Sequence, residues 1–169
     1  MLKNGRKNAK QGRLNMEFIQ AILRVFHNTM LWSAVMAWAT AEIVKTLIRF
    51  FYAGSRGIKN LWGSGDMPSA HSATVCALAM SAGLLHGFDS YVFALAGVFA
   101  LVVMYDACGV RLQAGKHAKI LNQLASKDKA EEKKLRESVG HTRIQVLSGA
   151  VWGVLVATIF VFLREGITF

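Results

Sequence analysis

Four groups of residues in this sequence have the types and spacing to do chemistry, and all of them suit an oxyanion such as a phosphate ester. The first is Gly65-Asp66-Met67-Pro68-Ser69-Ala70-His71-Ser72-Ala73. The chain's single Pro stands where a helix would begin, which suits its fixed φ and missing N–H. The first-turn N–H groups and the Ser69 hydroxyl then form an anion site. Gly63 and Gly65 let the incoming loop bend closely around a ligand. His71, one turn in, is placed to exchange a proton with a bound phosphate ester. Taken alone, Pro-Ser-x-His also describes an ordinary capped helix with an interfacial His.

The second group is Glu42, Lys45 and Arg49, spaced so that all three share one helix face. Lys45 and Arg49 could clamp phosphate oxygens while Glu42 pairs with Lys45. For Arg49, snorkelling to lipid headgroups explains the residue as well as function does. The third is Asp106 and Arg111. Arg111 offers a planar fork for phosphate, whereas the anionic Asp106 could orient a His or simply pair with Arg111. The fourth is His141 after Gly140, where a neutral imidazole could attack phosphorus and form a phosphohistidine. His27 and His86 lack polar neighbours in the sequence and read as structural. Asp66 and Asp106 are the only candidates for Mg²⁺, and no metal-motif spacing supports them; no metal or cofactor is expected.

The elements that must hold these residues are apolar. Of 169 residues, 53% are hydrophobic and 18% charged, which excludes a polar disordered chain and suits one domain. The two Cys, Cys76 and Cys108, lie inside apolar runs, so a disulfide scaffold is excluded too. The net charge of +10 points to nucleic acid or to an anionic membrane surface. The apolar content favours the membrane, and no recognition helix or aromatic strand pattern for nucleic acid is present. Four long apolar stretches, at roughly 29–51, 68–85, 91–110 and 146–163, each approach the ~20 residues a membrane-crossing helix needs. The expected fold is an all-α integral membrane bundle of about four transmembrane helices, and the expected location is the cell membrane.

Residues 1–28 form a basic segment whose Phe18, Ile22, Val25 and Phe26 recur at helical spacing, as in a helix lying on the bilayer surface. Residues 29–169 form the transmembrane domain, with a polar, helical loop at 111–145. Four crossings put both termini on one side and the 52–67 and 111–145 loops on the other. The polar residues named above then gather at four helix ends on that second side, and intramembrane ionisable residues are commonly functional. The basic loops favour a cytoplasmic site by the positive-inside rule, while the basic N-terminus argues the reverse.

Gly65 to Ala73, then Tyr105-Asp106-Ala107-Cys108-Gly109-Val110-Arg111 with Gly115 and Leu121-Asn122, then Val139-Gly140-His141-Thr142 together resemble the divergent type-2 phosphatidic acid phosphatase family, which is related to acid phosphatases and vanadium-dependent haloperoxidases. The resemblance runs over roughly 31–153. It implies a small helical membrane protein and the metal-independent phosphatase chemistry of the wider superfamily. Carried over, His141 is the nucleophile and His71 the general acid. Lys45, Ser69 and Arg111 bind phosphate. Beyond what the resemblance implies, Ser72 is a further phosphate-binding candidate, and Asp106 and Glu42 are catalytic candidates.

The chain departs from the family pattern at Asp66, Ala70 and Arg143, and above all at Gln145, where an acidic residue usually follows the His by four positions. Glu42 stands where relatives tend to have Gln, so one reading moves the carboxylate from the fourth span to the first. Glu42→Gln would then abolish activity and Gln145→Glu would partly restore it. Arg111-x3-Gly115-x-His117 imitates the last superfamily motif and makes His117 a rival nucleophile. The resulting expectation is a lipid-phosphate phosphatase whose partners are a lipid phosphate and the membrane. The alternative is a non-catalytic protein that binds or transports an anionic lipid or phosphate.

Overall fold

The computed structural model describes residues 2–53, 67–127, 135, 137 and 140–166, and their side chains except at 2–12, 52–53 and 125–127. These residues form six helices: α1 (Leu2–Phe26), α2 (Thr29–Ala53), α3 (Ala70–His86), α4 (Tyr91–Cys108), α5 (Val110–Lys127) and α6 (Arg143–Glu165). Among the described residues there is no strand. The all-α membrane bundle expected from the apolar stretches is the observed architecture.

Three segments are long and apolar enough to cross a membrane: Thr29–Phe51, Tyr91–Leu124 and Arg143–Glu165. The second stretch behaves differently. α3 has only 17 residues, about 25 Å of helix, and it is packed on three sides by α2, α4 and α6. It therefore meets other helices where the long spans meet lipid. The third stretch also extends further than its apolar run, because α5 follows α4 after a single break at Gly109.

Small residues make the close packing around α3 possible. Ala37 and Ala41 of α2, Ala73 and Ala77 of α3 and Ala157 of α6 form one fully buried cluster. Gly149 and Gly153 face α3 so closely that a Cβ would come within 2.3 Å of the Ser69 carbonyl oxygen and 2.1 Å of that of Ala73. In lipid, where no hydrophobic drive separates protein from solvent, such backbone approach and buried hydroxyl contacts supply the cohesion. The Ser33 hydroxyl donates to Ser81 at 2.9 Å between α2 and α3. The Trp152 indole donates to Thr40 at 3.1 Å between α6 and α2.

These contacts fix the directions. α3 runs parallel to α6, since Gly149 meets Ser69 and Gly153 meets Ala73, and antiparallel to α2, since Ser33 meets Ser81. The C-terminal end of α2, the N-terminal ends of α3 and α6, and the α4–α5 junction consequently share one end of the bundle. α1 lies beyond the other end and leaves Leu14, Phe18, Ile22, Val25 and Phe26 exposed.

Candidate functional site

Each helix end brings a polar residue by local rules. α3 begins after Ser69, whose hydroxyl accepts the Ser72 N–H at 3.4 Å and the Ser72 hydroxyl proton at 3.1 Å. Pro68, expected as the first helical residue, instead precedes this cap and follows a cis peptide bond. Ser69 and Ser72 are wholly buried, their hydroxyls engaged with one another at the cap. His71, between them in sequence, is exposed. The Ser69 amide donates to the Gln145 carbonyl at 3.1 Å, tying the start of α3 to the start of α6.

α6 begins with a capping box. Thr142 Oγ1 accepts the Gln145 N–H, and Gln145 Oε1 accepts the Thr142 N–H at 2.7 Å. The box holds the preceding residue, His141, whose amide donates to the Ala107 carbonyl at 3.0 Å. Gly140 makes this approach possible: a Cβ there would lie 2.3 Å from the Leu112 backbone nitrogen. His141 is 6% exposed, and its Nδ1 is buried without a hydrogen-bond partner among the described residues.

The surroundings of that imidazole join four elements. Burial first, then the charges of His71 and Lys45, hold His141 below its ordinary value; Gln145 opposes this by hydrogen bonding and Arg111 adds to it. Lys45 from α2, His71 from α3 and Arg111 from α5 thus each act on His141 before α6, at one end of the bundle. Lys45 is itself 6% exposed and pairs with Glu42 at 2.6 Å. Arg111 Nε pairs with Asp106 at 2.5 Å on the more open side. Arg49 is half-buried, further along α2.

Some expected residues fall elsewhere. Glu42 is joined to Lys45 and is not among the groups acting on His141, so a carboxylate moved from position 145 to position 42 has no direct contact to act through. His117 is exposed on α5, and it too is absent from the groups acting on His141. Gly63, Gly65 and Asp66 lie outside the described residues. Among the described residues no group of three His, Cys, Asp or Glu side chains is placed to hold a metal.

Sequence reasoning missed the double engagement of Gln145, in the cap and toward His141. Thr142-x-x-Gln145 was a legible cap signature for it. The Ala107 carbonyl that anchors His141 had no such signal, because it is a main-chain group on a distant helix.

The family model described as the divergent PAP2 family matches residues 26–156 of this chain. The chain belongs to the divergent PAP2 family. A similar relative is the "uncharacterized membrane protein YuiD" of Bacillus subtilis (strain 168), 32% identical over 155 residues, covering 83% of this chain and 98% of the relative. No solved structure matches the chain. This divergent PAP2 protein is therefore a helical membrane protein whose site residues lie within the matched span.

Proposed function

We propose that this divergent PAP2 protein is a cell-membrane phosphatase that removes phosphate from a lipid phosphomonoester or diphosphate through a phosphohistidine. The observation that carries the reading is a nearly buried His141 imidazole that feels the charges of Lys45, His71 and Arg111, with one ring nitrogen unpartnered among the described residues. Three basic side chains around a partly desolvated base suit an oxyanion that gains charge during substitution at phosphorus. Their position at the end of membrane-crossing helices suits a substrate whose acyl or prenyl tail stays in the bilayer.

In this mechanism the attacking nitrogen is His141 Nε2, which exchanges its contact with Gln145 for substrate, while Nδ1 stays buried. Its lone pair forms the N–P bond while the ester P–O bond breaks. His71 supplies the proton to the leaving oxygen. Water then attacks phosphorus, His71 takes one of its protons, and the N–P bond breaks to release phosphate and neutral His141. Lys45 and Arg111 bind the non-bridging oxygens throughout.

A second reading is binding without turnover, and the same unpartnered Nδ1 favours it. Nucleophilic Nε2 requires the proton on Nδ1, where no group among the described residues is within hydrogen-bonding reach to accept it. The other tautomer makes Nε2–H a donor that holds phosphate. Phosphate release by the purified protein from phosphatidate, phosphatidylglycerol phosphate and polyprenyl diphosphate separates the two. Release that vanishes in His141→Ala and persists in His117→Ala is the expected result. Tight lipid-phosphate binding with no release from any substrate would replace the phosphatase by the binding protein.

A further inference from the structure

The end of the bundle opposite this site carries an open polar cavity. The C-terminal end of α1, the start of α2 and the ends of α3 and α6 surround an open space of about 460 Å³, bordered by Arg24, His27, Thr29, His86 and Glu165 among others. His27 and His86, without polar company in the sequence, thus share one cavity with a cation and a carboxylate. The volume falls in the range of small-ligand sites, ~300–1,000 Å³.

The charges there are held apart. Arg24 and Glu165 border the same space, yet among the described residues they form no ion pair with each other. Glu165 Oε1 accepts the Thr29 hydroxyl proton, which orients the carboxylate. His27 Nδ1 lies 2.9 Å from the Leu23 carbonyl oxygen and so carries its proton there, leaving Nε2 as the uncommitted ring nitrogen. His86 is exposed at the cavity.

The cavity also sits at a definite depth. Thr29 opens α2, while His86 and Glu165 close α3 and α6, so its rim lies where the apolar spans end. The exposed Phe18, Ile22 and Phe26 of α1 lie on the helix that forms one wall, and they suit the acyl-chain boundary. What reaches such a space from the bilayer is a headgroup.

We propose that this cavity binds the headgroup of a phospholipid bearing both a phosphate and a primary ammonium, of the ethanolamine type, from the leaflet opposite the phosphatase-like site. The phosphate faces Arg24 and the two imidazoles, and the ammonium faces Glu165. A primary ammonium donates charge-assisted hydrogen bonds to a carboxylate. A quaternary choline has no N–H to donate, and the rim residues among those described offer it no aromatic cage. Glycerol headgroups carry no cation at all.

Binding of short-chain lipids to the full chain in detergent, followed by native mass spectrometry, tests the assignment. The ethanolamine lipid binds at least tenfold more tightly than the glycerol or choline lipid. Glu165→Gln brings it down to the level of the glycerol lipid, and Arg24→Gln weakens both. A wild-type series from ethanolamine through mono- and dimethylethanolamine to choline falls in affinity step by step, which keeps the test decisive should a variant not fold. Equal affinity along that series, or an ethanolamine preference that survives in folded Glu165→Gln, would overturn the proposal. So would soluble phosphoethanolamine binding as tightly as the lipid, because the ligand would then be a solute.

Discussion

The backbone amide of Ser69 donates to the carbonyl of Gln145 at 3.1 Å, so the N-terminal ends of α3 and α6 are joined main chain to main chain. Ser69 lies two residues before His71, and Gln145 four residues after His141. The joint fixes the backbone separation of the two segments from which the imidazoles project. Gly149 is part of the same joint, since it lets α6 lie against the Ser69 backbone.

Gly149→Ala and Gly153→Ala should therefore each destabilise the protein by about 1–3 kcal/mol, the usual cost of forcing atoms into a filled contact. Gly97→Ala is the comparison, because a Cβ there meets nothing within 4 Å. It should be neutral or slightly stabilising, as Ala favours helix over Gly by roughly 0.5–1 kcal/mol. Thermal unfolding in detergent reads all three, and equal melting temperatures would contradict the packing.

His141 should make stability depend on pH. Burial and the charges of His71 and Lys45 depress its proton affinity in the fold, with Gln145 opposing and Arg111 adding to the effect. The unfolded chain then takes up the proton more readily, so the contribution is complete above about pH 6.5 and is lost as pH falls through the folded value. Between about pH 7.5 and 5 the wild type should lose stability more steeply than His141→Gln. Parallel curves would show that the residue titrates normally.

The acid limb of kcat/KM should accordingly lie below about pH 6.5, since neutral His141 persists into that range. Gln145→Glu retains a side-chain acceptor for the cap and adds a carboxylate beside the imidazole. It should move that limb upward by about one pH unit or more and raise turnover. An unmoved limb would separate Gln145 from the titration of His141.

Lys45 and Glu42 should part company on mutation. Lys45→Met removes a buried cation from the oxyanion's surroundings and should lower kcat/KM by about 10²–10³. Glu42→Gln leaves Lys45 without its counter-ion and should cost about 1–3 kcal/mol of stability, discounted because the carboxylate is partly exposed. Its pH profile should keep the wild-type acid limb. A shifted limb in Glu42→Gln would show that the carboxylate reaches His141 after all.

Much of this was legible in the chain. Long apolar runs identified α2, α4 and α6 because lipid demands about 20 apolar residues in a row. The convergence of Lys45, His71, Arg111 and His141 followed from counting crossings, since alternating directions put the C-terminal end of one helix beside the start of the next. α3 was legible as apolar and illegible as enclosed, because Ala and Ser suit both a lipid-free interior and a short span. The partner of Glu42 was equally ambiguous: helical spacing permitted Lys45, family comparison suggested His141, and geometry favours Lys45. The cavity beside His27 and His86 is built from four chain segments far apart in sequence, and no local pattern encodes such a meeting.

The enclosure of α3 has a bearing on biogenesis. This helix is the second hydrophobic segment to leave the ribosome, yet its Ser-containing, alanine-rich surface finds its neighbours only when α4 and α6 have followed. Until then it rests in a half-built setting, and His71 waits there without His141. Maturation of the pocket is thus coupled to insertion of the last helix, and a truncated product should enter the bilayer as an inert intermediate rather than as a miniature of the whole.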